Sequence, residues 1–455
     1  MTSRWVKAIL SGALVIIVGC ASGDPRWGQF HGDLASRGYQ PVQSGFALSS
    51  TWISDAYKIT SSSPVIGKDF EGQKVIYIGT TDADLLAIHE QDGRLSWKRP
   101  LGSGSGMSRI VSTPAVSSKG DIYVISNLES TEGTVRSTLH KVDPFSNRQW
   151  SYPFPDNGFT TGSPKVVTFN METLVCVYIQ VEEKNDFHGE LFILRDLGKR
   201  VELLDRKVLG VCGNGQSGTE SRIADAIENM KAVWRSVAHF PPASAPGEIS
   251  LQNRFIDPTV AVVTRKDHLL IAVADNLCSV GAYKWNGEQL SVLWRDEHDY
   301  AKHSSPMVLP NGLMVFGRHD GKVIAYDIET GVKMWTHDAG QPVFATPAAP
   351  PKGLIFVVGG DSIHVLRAAD GKLFHDAAQP RTLKLTGPTR VSPALTENRL
   401  YIATDEMLTV TFDLKTSAHD TNFRGNRWSS MAVDRDGSVF AVAADGTIHK
   451  YQGTH

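Results

Sequence analysis

One short phrase recurs along the 455-residue chain: a small or polar residue, then Pro, then a residue that opens a run of β-formers. It stands at Ser63-Pro64-Val65, Thr113-Pro114-Ala115, Ser163-Pro164-Lys165, Asp257-Pro258-Thr259, Ser305-Pro306-Met307, Thr346-Pro347-Ala348 and Ser392-Pro393-Ala394. Ser430-Met431-Ala432 is an eighth copy, with Met in place of Pro. Successive markers lie 50, 50, 94, 48, 41, 46 and 38 residues apart. A repeat of this length cannot bury its apolar face alone and must stack on its neighbours. The chain therefore folds as an array of similar units, one of which carries an insertion.

Each unit reads as strands. A Pro-led strand is followed by Val75-Ile76-Tyr77-Ile78, or by Leu313-Met314-Val315-Phe316 in a later copy. A third strand follows, such as Leu85-Leu86-Ala87-Ile88 or Val323-Ile324-Ala325-Tyr326. Turns at Asp92-Gly93 and Thr330-Gly331 lead to a fourth strand ending in Trp97 or Trp335. β-Branched content and tight Gly turns specify antiparallel hairpins. With 41 Gly and 22 Pro in the chain, there are turns enough for many short strands. Four antiparallel strands per unit make a propeller blade. The expected fold is all-β: an eight-bladed β-propeller over residues 51–455. The last unit has three strands, and a spare strand with Trp52 precedes the first. That N-terminal strand is expected to complete the last blade and remove the open edges.

The N-terminus lies outside the ring. Arg4 and Lys7 precede an apolar run of 11 residues, Ala8 to Val18, too short to span a bilayer and suited to a signal peptide. The run ends at Ile17-Val18-Gly19-Cys20, which resembles a bacterial lipobox. Residues 1–19 are thus expected to be removed and Cys20 to be acylated, with 20–50 a lipidated linker. Ala21 after the Cys resembles the outer-membrane sorting pattern of Gram-negative lipoproteins. The expected location is the periplasmic face of the outer membrane, held by the acyl chains on Cys20.

The long spacing holds the insertion, 210–253, between the third and fourth blades. Ser217 and Glu220 form a capping box, and Ile223, Ile227, Met230, Val233, Trp234 and Val237 follow at helical spacing until Pro241-Pro242. A helix packed on the rim is one reading. A docking helix with Trp234 as its anchor is the other. Cys176, Cys212 and Cys278 remain after Cys20; an odd number permits one bridge and one free thiol, with the pairing open.

A net charge of -2 with 21% charged residues gives no basic surface for nucleic acid. Basic residues nevertheless recur three to five positions before the markers: Arg109, Arg254, Lys302 with His303, Arg390 and Arg427. They are candidates for an anion- or acidic-peptide-binding mouth, because converging charge in a concave funnel focuses potential. His298, Asp299, His303 and His319 cluster in sequence without a ligand pattern, so no metal site is expected. No GxSxG, HExxH or P-loop occurs, and no catalytic residue is assigned.

The segment Ala325 to Trp335, with Asp327, Thr330 and Gly331, resembles the tryptophan-docking repeat of the pyrroloquinoline-quinone (PQQ) propellers. Ala87 to Trp97 and Asp143 to Trp150 are looser copies, and Trp27-Gly28-Gln29-Phe30-His31-Gly32-Asp33 resembles the segment that precedes the first blade in that family. The resemblance implies a structural docking role for Trp52, Trp97, Trp150 and Trp335. It reaches two branches: quinoprotein dehydrogenases that use PQQ and Ca²⁺, and non-catalytic lipoproteins resembling the outer-membrane assembly factor BamB. The lipobox, the compact blades and the absence of an adjacent Cys-Cys pair point to the second. That branch implies a protein–protein scaffold for other envelope proteins, without cofactor, possible in outer-membrane protein assembly. The alternatives are a PQQ-dependent oxidoreductase and a receptor that binds a ligand or peptide in the funnel.

Overall fold

The computed structural model describes residues 27–454 except 46, 60, 103–105, 131–134, 184–185, 212–258, 276–278, 298–303, 352, 376–381, 405–407, 415–418 and 425–428. The described chain forms eight antiparallel sheets, one per repeat, and no helix occurs among the described residues. Blade 1 is typical: Val65–Lys68, Lys74–Gly79, Asp84–His89 and Leu95–Pro100 pair in chain order from the axis outward. The remaining innermost strands are Ala115–Val116, Lys165–Phe169, Ala261–Thr264, Met307–Val308, Ala394–Leu395 and Ala432–Val433. In blade 6 the innermost strand shrinks to one bridge, Ala348 to Phe356.

Closure follows the expected route. Ala47–Ile53 pairs antiparallel with Ile448–Thr454 and becomes the outermost strand of blade 8. The first strand of the fold thus completes the last blade and joins the two ends of the chain in one sheet. The helix expected in 210–253 lies outside the described residues.

The apolar core lies between blades rather than on the axis. Val65, Tyr77, Leu85 and Ala87 of blade 1 pack on Ile122, Val124 and Val142 of blade 2, and the same arrangement repeats around the ring. Central strands buried on both faces explain the near-continuous apolar runs.

Tryptophans fasten one blade to the next. The indole N–H of Trp52 donates to the Glu90 carbonyl at 2.7 Å, Trp97 to Pro144 at 3.2 Å, and Trp335 to Ala368 at 3.0 Å. Trp150 donates instead to Asp196 Oδ1 at 3.0 Å. Trp294, which the repeat reading passed over, does the same in blade 4, donating to the Ile328 carbonyl at 2.7 Å. In all five cases the residue before the Trp is a β-bulge on the outermost strand, which turns the indole toward the next blade. The turn of that next blade then sits on the indole. Gly331 has φ +72°, and a Cβ there would fall 2.6 Å from Trp294 Cγ. Only glycine meets both demands.

Candidate functional site: the central channel

Eight short innermost strands meet at the axis. Their opening Ser and Thr residues make seven of the eight links of a hydrogen-bonded circle. The Ser63 N–H donates to Thr113 Oγ1 (3.2 Å), Thr113 to Ser163 (2.9 Å), Ser163 to Thr259 (2.9 Å) and Thr259 to Ser305 (2.9 Å). Ser305 donates to Thr346 (3.2 Å), Thr346 to Ser392 (3.0 Å), and Ser430 back to Ser63 (2.9 Å). Seven of the hydroxyls thus satisfy a backbone N–H of the neighbouring blade. This circle explains why the repeat demands Ser or Thr at that position. It also corrects the fourth marker: Thr259-Val260 is the equivalent pair, not Asp257-Pro258.

One end of the channel is closed by residues 27–44. This stretch visits the blades in order. The Trp27 carbonyl accepts from Ile66 N–H (2.8 Å), Gly28 from Val116 (2.7 Å), and the Gln29 amide exchanges two hydrogen bonds with the Val166 backbone. Leu34, Ala35, Arg37 and Gly38 accept from Val262, Val308, Ala349 and Leu395. Ser44 Oγ reaches the Gly437 carbonyl of blade 8 at 3.3 Å. The stretch expected as linker therefore satisfies inner-edge groups of the ring.

Two titratable groups hold it in place. Lys165 occupies a position that is Val, Ala or Met in every other blade. Its ammonium donates to the carbonyls of Phe30 (2.7 Å) and Asp33 (2.5 Å) and lies 5.7 Å from the Phe30 ring centroid. Burial pulls its pKa down to about 7. The His31 ring faces the Ser36 carbonyl (2.7 Å) and the Pro393 carbonyl (2.8 Å), and burial lowers its pKa to about 4.

The opposite end is open. Phe30 forms its floor, the hydroxyl circle its wall, and Phe344 and Arg390 reach its mouth. The Arg390 guanidinium lies 4.6 Å over the Phe344 ring, and His319 meets that ring edge-on at 5.6 Å. The pairing presents a cation and an aromatic face together, a combination that recognises carboxylates and π-systems.

Of the basic residues expected at the mouth, Arg390 lines the channel. Arg109 ends the strand Gly106–Arg109, is 2% exposed, and is not part of the channel lining. Arg254, Lys302, His303 and Arg427 lie outside the described residues, as do Trp234, Cys20, Cys212 and Cys278. Cys176 is buried in blade 3 with a free thiol whose pKa burial raises to about 12.

One carboxylate cluster stands apart from the channel. Glu90, Asp434 and Asp436 have oxygens within 4.8 Å of one another. Lys74 binds Asp434 at 2.5 Å and Lys450 binds Glu90, so two ammonium groups offset the three negative charges. The network ties blade 1 to blade 8.

PQQ is a flat tricarboxylate quinone. With calcium it requires oxygen-anion donors for the cation and a base for the substrate hydroxyl. The channel lining supplies hydroxyls, two phenyl rings and one guanidinium, and no carboxylate. Among the described residues, the channel does not fit that pair.

Fold and site together define a closed eight-bladed propeller of the PQQ-repeat type with a hydroxyl-lined channel. The model of the family described as outer membrane protein assembly factor BamB matches residues 49–157 and 279–453, and the chain belongs to that family. No curated protein matches the chain. Among solved structures, the europium-containing methanol dehydrogenase is 11% identical over 94% of this chain and 98% of its own, with a TM-score of 0.59. The quinohemoprotein alcohol dehydrogenase ADHIIG from Pseudomonas putida HK5 is 13% identical over 95% and 81%, with a TM-score of 0.58. BamB from Moraxella catarrhalis is 14% identical over 90% and 100%, with a TM-score of 0.47. These likenesses concern the fold alone.

Proposed function

We propose that this chain is a non-catalytic lipoprotein on the periplasmic face of the outer membrane, anchored through Cys20, that holds other envelope proteins together. The observation that carries the reading is the family match over most of the ring, joined to a channel lining that holds no carboxylate among the described residues. A propeller of interlocked blades is a rigid base for loops, and rigid loops lose little entropy when they bind. Arg390 over Phe344 supplies an anchor of the kind that dominates protein interfaces. The partner chemistry this suits is an acidic, aromatic-bearing segment entering the mouth.

The competing reading is a PQQ-dependent oxidoreductase, which the dehydrogenase fold likenesses keep in view. The two separate in one assay. Purified full-length protein is titrated with PQQ and Ca²⁺ while absorbance and reduction of a dye acceptor by alcohols are followed. The scaffold reading expects no stoichiometric uptake and no dye reduction. Saturable uptake with alcohol-dependent reduction would replace it with the enzyme.

A further inference from the structure

In every blade the turns joining strands one to two and three to four open on a single face of the ring, because the strands are antiparallel. Three consecutive blades carry large apolar side chains at these turns. Phe70 stands in the first turn of blade 1 and Phe145 in the outer turn of blade 2. Met171 and Leu197 stand in the inner and outer turns of blade 3. They are 52%, 60%, 93% and 41% exposed. The turns are joined: Phe70 stacks on Phe145 with centroids 5.2 Å apart, Ser118 meets Thr168 at 3.3 Å, and Lys141 of blade 2 donates to the Gly198 carbonyl at 3.1 Å. Contiguous exposed apolar groups of this size mark a contact surface.

Two observations say what covers it. Residues 27–29 bond to Ile66, Val116 and Val166, each a few residues before the inner turns of the same three blades. The chain therefore enters the ring on this face and beside this patch. Cys20 stands seven positions before Trp27. An extended chain spans at most roughly 3.3–3.6 Å per residue, so Cys20 stays within about 25 Å of Trp27. The second observation is charge. Arg94, Lys119, Lys199 and Arg200 are exposed in the turns of these three blades on this face, against the exposed acids Glu71 and Asp92. Apolar tips among cations match an anionic lipid surface.

We propose that the face carrying Phe70, Phe145, Met171 and Leu197 rests on the lipid bilayer, with its apolar tips among the headgroups. The inference rests on the lipoprotein reading of Cys20. It orients the ring: the plugged end faces the membrane, and the mouth with Arg390 faces away, toward soluble partners.

The test uses the full mature protein in vesicles of phosphatidylethanolamine and phosphatidylglycerol that carry a diazirine-tagged acyl chain. Photo-adducts are mapped by peptide mass spectrometry, and the mass of the N-terminal peptide reports acylation of Cys20. Adducts are expected on peptides holding the four residues and not on the peptide around Asp82, on the opposite face. The F70S/F145S/M171S/L197S variant keeps its acyl group and its melting temperature, and loses patch adducts about ten-fold, since insertion depends on buried apolar area. Acylated protein with adducts only at its N-terminal peptide, or equally on both faces, would overturn the surface alone. An unacylated Cys20 would overturn the lipoprotein reading and, with it, the choice of lipid as the occupant.

Discussion

Lys165 donates its ammonium to the carbonyl of Phe30 at 2.7 Å across 135 residues of sequence, and so ties the third blade to the segment that plugs the ring. The ammonium is fully buried, with its pKa drawn down to about 7 from 10.5. Between those values the unfolded chain holds more protons than the folded one, so stability rises with pH from about 7 toward 10.5. Lys165→Met removes that slope. At pH 7 it also leaves the Phe30 and Asp33 carbonyls without their donor, at a cost of about 1–3 kcal/mol. Urea unfolding at pH 7 and pH 9, wild type against variant, measures both effects.

Trp294 and Gly331 form one interlock between blades 4 and 5, with the indole N–H on the Ile328 carbonyl and the glycine on the ring face. Trp294→Ala is expected to cost about 3–5 kcal/mol, as for other large aromatic truncations. Gly331→Ala strains a backbone at φ +72° and also strikes the indole. In the Trp294→Ala background the clash is gone and only the backbone strain remains. A double-mutant cycle should therefore return a coupling of about 1–3 kcal/mol. Additive costs would mean that the turn does not sit on the indole.

Acid should loosen the ring before it unfolds an ordinary protein. Burial lowers His31 to about 4, His140 to about 3 and His364 to about 4, all from 6.5. The folded state therefore refuses protons that the unfolded state accepts, and stability falls as pH drops from about 6.5 toward 4. Burial lowers His337, which faces His364 at 3.1 Å, as well, so unfolding in that window takes up as many as about four protons, and His364→Asn lowers the uptake by at least about one. The pH dependence of the urea midpoint gives the count.

The strand Ala47–Ile53 closes the ring against Ile448–Thr454. A chain beginning at residue 55 takes the outermost strand from blade 8, strips Trp52 from Glu90, and also removes the plug at residues 27–44. Loss of the single cooperative melt is expected, with aggregation on heating. A truncated chain that melts as the full one does would show that both the strand and the plug are dispensable.

Much of this architecture is legible in the residues themselves. The Ser/Thr-Pro markers give the blade number because every blade needs a hydroxyl at the axis and a strand start beside it. Trp52 reveals the closing strand because it recurs at the place of Trp97 and Trp335. The fourth marker misleads by two positions, since Pro258 lies near the true hydroxyl, Thr259, and Val260 takes the Pro position. Trp294 escapes because its blade turns at Asn286-Gly287 without the Thr-Gly phrase. The plug at residues 27–44 escapes for a deeper reason. Its partners are backbone groups of eight blades, and backbone pairing over hundreds of residues leaves no local pattern. The channel site is least legible: Arg109 and Arg390 look alike in sequence, yet one is buried in a blade edge and the other lies at the mouth over Phe344.

The measurement closest to the central claim is recovery of partners from the native membrane. Full-length protein is crosslinked mildly in place, purified, and compared with Arg390→Ala/Arg427→Ala and Trp234→Ala forms. Arg390→Ala alone should leave the melting temperature nearly unchanged, since its side chain lies at the mouth rather than in a blade interface. Defined envelope proteins recovered with the wild type and lost from one variant set would meet the account. Wild type and both variants recovering the same background, with no defined partner, would contradict it.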